Sequence, residues 1–102
     1  MLTYKTIGMG DPKGKPRVYF TCHPEDFKGT FETLSEDILR YANCAVWYND
    51  APEDEGAVVP EQDLTQMQLF VMPVTTRLLF TPNAALSRDF PFAIKNTIPV
   101  LP

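Results

Sequence analysis

Histidine and tryptophan each occur once in this 102-residue chain, and cysteine twice. A single histidine leaves no partner for the usual zinc spacings, and neither an HExxH nor a GxSxG pattern is present. The sequence therefore offers no metal site and no nucleophile elbow. Two cysteines are too few for a disulfide-stapled scaffold. No apolar run approaches the roughly 18 residues that span a bilayer. The N-terminus, MLTYKTIGMGDPKGKP, has no apolar stretch of secretory type. Basic residues are outnumbered, with nine Lys and Arg against thirteen Asp and Glu and a formal net charge of −4. That balance argues against a protein that coats nucleic acid, where positive charge supplies most of the affinity.

What is present is an ordinary globular composition, 44% hydrophobic and 22% charged. The length makes one domain, residues 1–102, the expectation. Charge is spread unevenly. Residues 1–20 carry Lys5, Lys13, Lys15 and Arg17 against Asp11, a balance of +3. Residues 21–70 carry Lys28 and Arg40 against eleven acids, a balance of −9, and residues 71–102 return to +2. A chain polarised in this way can attract a second copy, acidic face to basic face. The alternative is a solvated acidic loop.

Residues 1–16 read as an N-terminal loop, with a short strand at Leu2–Ile7. Gly8, Gly10 and Gly14 do not make a phosphate loop, because Gly14-Lys15 is followed by Pro16 and the segment precedes a strand. Residues 17–22, RVYFTC, form a strand with the near-continuous apolar character of one buried on both faces. Phe27, Phe31, Leu34, Ile38 and Tyr41 follow at helical spacing. Pro24, Glu25 and Asp26 suit that helix's start and Asn43 its end. Residues 44–48, CAVWY, are a second buried strand, which completes a βαβ unit. Residues 49–63 form a long acidic loop, and Asp63–Met67 a short helical turn. Residues 69–74 and 98–101 are the third and fourth strands. Between them lie a helical turn near Leu78 and a helical stripe of Leu86, Phe90, Ala93 and Ile94. Cys22 and Cys44 fall at opposite ends of neighbouring parallel strands, too far apart for a bridge. Unpaired thiols suit a reducing cytoplasm. The expected architecture is α/β, a flavodoxin-like parallel sheet of about four main strands in the order 2-1-3-4, with helices on both faces.

Three segments resemble the Toll/interleukin-1 receptor (TIR) family in its bacterial form. RVYFTCHPEDF, residues 17–27, is similar to the family's first strand and following loop, with Asp26 and Phe27 at the matching acid and aromatic positions. CAVWYND, residues 44–50, is placed like the second strand and the start of the BB loop. QLFVMPVTTRLLFTPNAALSRDFPFAIKNTIPVLP, residues 68–102, resembles the third strand, its turn, the acid-bearing helix and the "IPV-P" fourth strand. The family usually continues for another strand and one or two helices, so the resemblance implies a truncated domain. It also implies cleavage of the nicotinamide–ribose bond of NAD, by hydrolysis or cyclisation, in bacterial signalling or defence. NAD is then a substrate, with no cofactor and no metal. The other function implied is a non-catalytic module that self-assembles or joins other TIR domains.

Glycosidic cleavage of NAD builds positive charge on the ribose, so a fixed carboxylate nearby lowers the barrier. Nicotinamide departs already activated by its cationic ring, and no strong general acid is needed. The family's glutamate position corresponds here to Asp89, which reaches about 1.5 Å less for want of one methylene. Asp89 is the candidate catalytic acid; the other reading is a helix-start aspartate held by backbone amides. His23, Trp47 and Tyr48 are candidate substrate-binding residues, at or beyond the C-terminal ends of strands, where open α/β sheets bind ligands. Asp26 is a secondary candidate for shaping the pocket. Each has a bland counterpart: core packing for Trp47, a turn or cap for His23, and capping of the first helix for Asp26. A phosphoacceptor domain, which needs an aspartate at the end of the third strand, is disfavoured by Met72-Pro73-Val74-Thr75-Thr76 there. A flavin site is disfavoured by the acidic His23-Pro24-Glu25 after the first.

Overall fold

The computed structural model describes residues 2–6, 13–49, 61–83 and 85–102. In chain order these form β1 (Leu2–Lys5), β2 (Arg17–Phe20), α1 (Pro24–Ala42), β3 (Ala45–Asn49), α2 (Glu61–Leu64), β4 (Leu69–Val71) and α3 (Thr76–Phe80). A π-turn (Ala85–Asp89), α4 (Phe90–Lys95) and β5 (Val100–Leu101) follow. One five-stranded sheet has the order β1-β3-β2-β4-β5. Strands β3, β2, β4 and β5 are mutually parallel, in the expected order.

The four main strands are parallel as expected, and the short N-terminal strand adds a fifth that runs the other way. Strand β1 pairs antiparallel with β3, Leu2 opposite Asn49 and Lys5 opposite Val46, so the sheet is mixed. A parallel β1 would need a crossover back to the start of β2, which is usually a helix. The sequence between Lys5 and Arg17 is rich in glycine and proline and unsuited to one. The antiparallel direction brings the end of β1 to the end of the sheet where β2 begins, so no crossover is required. Of the expected Leu2–Ile7 strand, Ile7 lies outside the described residues, as do 50–60 of the expected acidic loop.

Strand alternation distributes the core over two faces. Val18, Phe20, Val46 and Val71 pack with Phe31 and Leu39 of α1 on one face. Tyr19 and Phe70 pack with Leu64, Met67 and Ala93 on the other, under α2 and α4. Helices therefore cover both faces, as expected. Helix α1 starts at Pro24, and its N-cap is His23, whose Nδ1 accepts from the Glu25 amide at 3.1 Å. It ends at Asn43, which adopts the left-handed conformation (φ 46°, ψ 51°) common where a helix terminates. Its buried centre is Phe31, Ser35 and Leu39, with Phe27, Leu34 and Ile38 on the flanks. The small Ser35 lies on the sheet-facing side, in a stripe of fourfold spacing. The Tyr41 side chain lies outside the described residues.

The second helical stripe holds at Ala93, which is buried, and at Leu86, which packs against Met72, Leu78 and Ala85, and is corrected at its other two positions. Ala85, Asp89 and Ala93 are buried, whereas Phe90 and Ile94 are 38% and 62% exposed. A π-turn closes i→i+5 bonds rather than i→i+4. Ala85–Asp89 is such a turn, and from it the buried positions run at a spacing of four, one residue before Leu86, Phe90 and Ile94. Asn83 leads into this turn: its side-chain oxygen accepts from the Leu86 amide at 2.9 Å, and its Nδ2 donates to the carbonyl of Leu78.

Candidate functional site

Parallel strands deliver their C-terminal ends to one edge of the sheet, and there the chain makes a small cavity. Its volume is about 30 Å³, room for about two waters. Tyr19, Phe20, Thr21 and Cys22 supply one wall, Pro24 and Phe27 of α1 another. Asn49 from β3 and Ala85, Arg88 and Asp89 from the π-turn complete the lining.

Asp89 is the focus of this edge. It is only 1% exposed, although it precedes a helix. It makes no capping hydrogen bond to the helix that follows, so the reading of Asp89 as an amide-held helix-start residue does not describe it. Its Oδ2 instead accepts from the Thr21 hydroxyl at 2.6 Å, and its Oδ1 from Arg88 Nε at 3.0 Å. Burial pushes the Asp89 carboxyl above its ordinary range; the Thr21 hydrogen bond and the Arg88 charge pull against that shift. Tyr19, also buried, has its hydroxyl shifted upward by burial and by the neighbouring Asp89 charge. One strand thus sends Tyr19 and Thr21 to the same face, two residues apart, toward Arg88 and Asp89.

The other candidates occupy different positions. His23 is buried and caps α1, and its neighbours in sequence, Cys22 and Pro24, line the cavity while it does not. Asp26 joins two helix starts. Its carboxylate accepts from Thr75 Oγ1 at 2.6 Å and pairs with Arg77 Nη1 at 2.7 Å, tying the start of α1 to the start of α3. Tyr48 lies on the α1 face against Phe31 and Phe27, with ring centroids 4.3 and 5.8 Å apart. It touches the wall of the cavity through Phe27. Trp47 faces the opposite side of the sheet from Tyr48, with the Tyr4 ring tilted against it at 5.0 Å and Arg17 over it at 5.3 Å. Because Arg17 opens β2, that group leans toward the N-terminal end of the strands, away from Asp89. Alternation along β3 forbids Trp47 and Tyr48 from sharing a face.

The structure therefore keeps Asp89 at the strand ends and lines the cavity beside it with Thr21, Arg88 and Asn49 rather than with His23, Trp47 and Tyr48. Thr21 was legible in principle: it is two residues beyond Tyr19, so alternation puts both on the Asp89 side. Nothing local in the sequence points to Asn49 or Arg88. Cys22 and Cys44 are free and buried. Burial, with the Asp26 charge adding to it, pushes the Cys22 thiol up to about 12, which keeps it protonated and unreactive. Among the described residues no group of three or more His, Cys, Asp or Glu is placed to hold a metal ion, and no helix is long and apolar enough to cross a membrane. Comparison with protein-family models, curated proteins and solved structures finds no match for this chain.

Proposed function

We propose that this chain is a TIR-like domain of flavodoxin-like architecture that cleaves the nicotinamide–ribose bond of NAD in the bacterial cytoplasm, with Asp89 as its catalytic carboxylate. The observation that carries the reading is a buried carboxylate at the C-terminal edge of parallel strands, beside a cavity and held by two side chains rather than by a helix end. Open α/β sheets bind ligands at that edge. Counted from β2, the parallel strand order is 2-1-3-4, which supports the fold assignment. The two unpaired thiols fit a reducing compartment.

The chemistry follows from charge. As the bond to nicotinamide lengthens, the ribose carbon becomes cationic and the ring nitrogen regains its electron pair; water (hydrolysis) or the adenine ring of the same molecule (cyclisation) then bonds to that carbon and loses a proton. A fixed carboxylate in a site of low dielectric stabilises that developing cation without reorganising. An ionised carboxylate offers about four acceptor positions. Thr21 and Arg88 take one on each oxygen, which leaves one on each for ribose hydroxyls. A cavity sized for waters admits the ribosyl group only when the side chains around it move. Arg88, a third exposed on its side chain, is one lining residue with access to solvent.

A second reading is a non-catalytic TIR-like module that self-assembles. Its support is that both oxygens of Asp89 already have partners within the chain and that the cavity is small. Incubation of concentrated protein with NAD, read for free nicotinamide, separates the two. The expected outcome is release by the wild type and by Asp89→Glu, and loss of release in Asp89→Asn, whose shape preserves packing. Equal release by wild type and Asp89→Asn removes Asp89 from the mechanism. No release by concentrated wild type favours the assembly module.

A further inference from the structure

We propose that Thr21 is a positioning residue, whose hydroxyl fixes the rotamer of Asp89 and turns the unoccupied acceptor sites of its carboxylate to the cavity. This rests on the reading of Asp89 as the catalytic carboxylate. The geometry carries it. Thr21 follows the last residue of β2, and its amide still donates to the Val71 carbonyl of β4 at 3.0 Å, so the backbone beneath the hydroxyl is held by the sheet. Alternation sends its side chain to the face of the π-turn. There Oγ1 lies 2.6 Å from Asp89 Oδ2, in a buried contact between residues 68 apart in sequence. Thr21 is itself 7% exposed, so water does not compete freely for the bond. A β-branched side chain has restricted χ1 freedom, and this hydroxyl arrives with little left to order.

The surroundings make the hydroxyl matter. Burial favours the protonated form of Asp89, and the two groups that oppose it are Thr21 and Arg88. Arg88 is adjacent in sequence and partly solvated, whereas Thr21 is fixed from a different element. The other titratable groups at this point are Tyr19, on β2, and Cys22, on the cavity wall, both held protonated by burial. The Asp26 carboxylate is engaged by Thr75 and Arg77. Donation from an O–H to the carboxylate stabilises the ionised form that the reaction needs.

The test compares Thr21→Val, which keeps the shape and deletes the hydroxyl, with Thr21→Ser, which keeps the hydroxyl. Thermal unfolding confirms that both fold. The Asp89 carboxyl is titrated by carbon NMR, a measurement independent of activity, and nicotinamide release is followed against pH. In Thr21→Val the Asp89 midpoint is expected to rise by about one pH unit. Release below that midpoint is expected to fall about tenfold and to recover as pH rises, whereas Thr21→Ser keeps both near wild type. An unmoved midpoint in Thr21→Val overturns the inference, whatever the protein does to NAD. A moved midpoint with an unchanged pH profile of release overturns it as well. A moved midpoint with no release from wild type overturns the NAD reading, and Thr21's part in that reaction with it, so the two failures are distinct.

Discussion

Asp89 shows how one residue is set by its surroundings rather than its type. Its carboxyl is raised above its ordinary 3.8 by burial, with Thr21 and Arg88 opposing. The folded chain therefore holds the proton at pH values where the unfolded chain has released it. Stability contributed at this position falls as pH rises, through a window that opens near 3.8 and closes at the raised folded value. This is the reverse of the usual behaviour of a salt-bridged carboxylate. Asp89→Asn removes the titration. Urea unfolding of both proteins from pH 3 to 7 is expected to show wild type losing stability relative to the variant across that window. A constant difference between the two would mean that the Asp89 carboxyl is not raised.

Elements here are defined by their ends and by the face they bury. Helix α1 is closed by His23 and Asn43 and is clasped to α3 through Asp26 and Arg77. Its sheet face contains one defect: Ser35 is fully buried and its hydroxyl has no hydrogen-bond partner. An unsatisfied buried hydroxyl costs about 1–3 kcal/mol, and alanine is the better helix former. Ser35→Ala is thus expected to stabilise the fold by about 1 kcal/mol, raising Tm by roughly 5 °C for a domain of this size. A fall in Tm measured by calorimetry would show that the hydroxyl is satisfied in solution. In the segment before β5 the π-turn has the corresponding importance, because the face it buries carries Asp89.

On the scale of the whole molecule, charge is divided. The residues that are basic in balance lead into the N-terminal end of β2. The exposed side of α1 carries Glu25, Glu32, Glu36 and Asp37. Part of this is used internally, since Lys5 approaches Glu36 at 4.0 Å and Arg77 pairs with Glu25 and Asp26. The remaining polarity is expected to give weak, head-to-tail self-association. Exposed pairs supply at most about 1 kcal/mol each, so the contact should weaken as salt shortens the screening length to about 8 Å. Sedimentation at low and high salt checks this. A strict monomer at high concentration and low salt, indifferent to charge reversal in residues 50–63, rules out electrostatic assembly.

The sequence by itself determined the elements whose signals are local. The apolar strands, the helical spacing from Phe27 to Ile38, Pro24 at one end of α1 and Asn43 at the other can each be read within a few residues. The parallel order followed as well, because connection rules restrict how a βαβ unit can continue. Tertiary structure decided what depends on partners distant in the chain. It set the antiparallel direction of β1, which is chosen by the return path to β2. It set which face of the segment from Ala85 to Lys95 meets the sheet, exposing Phe90 and Ile94 and burying Asp89. It sent Trp47 and Tyr48 to opposite faces, a consequence of alternation that a reading by strand position alone misses. The pairing of Thr21 with Asp89 joins residues 68 apart. No periodicity encodes that distance, and only the packing of α4 and its π-turn against the end of β2 brings hydroxyl and carboxylate together.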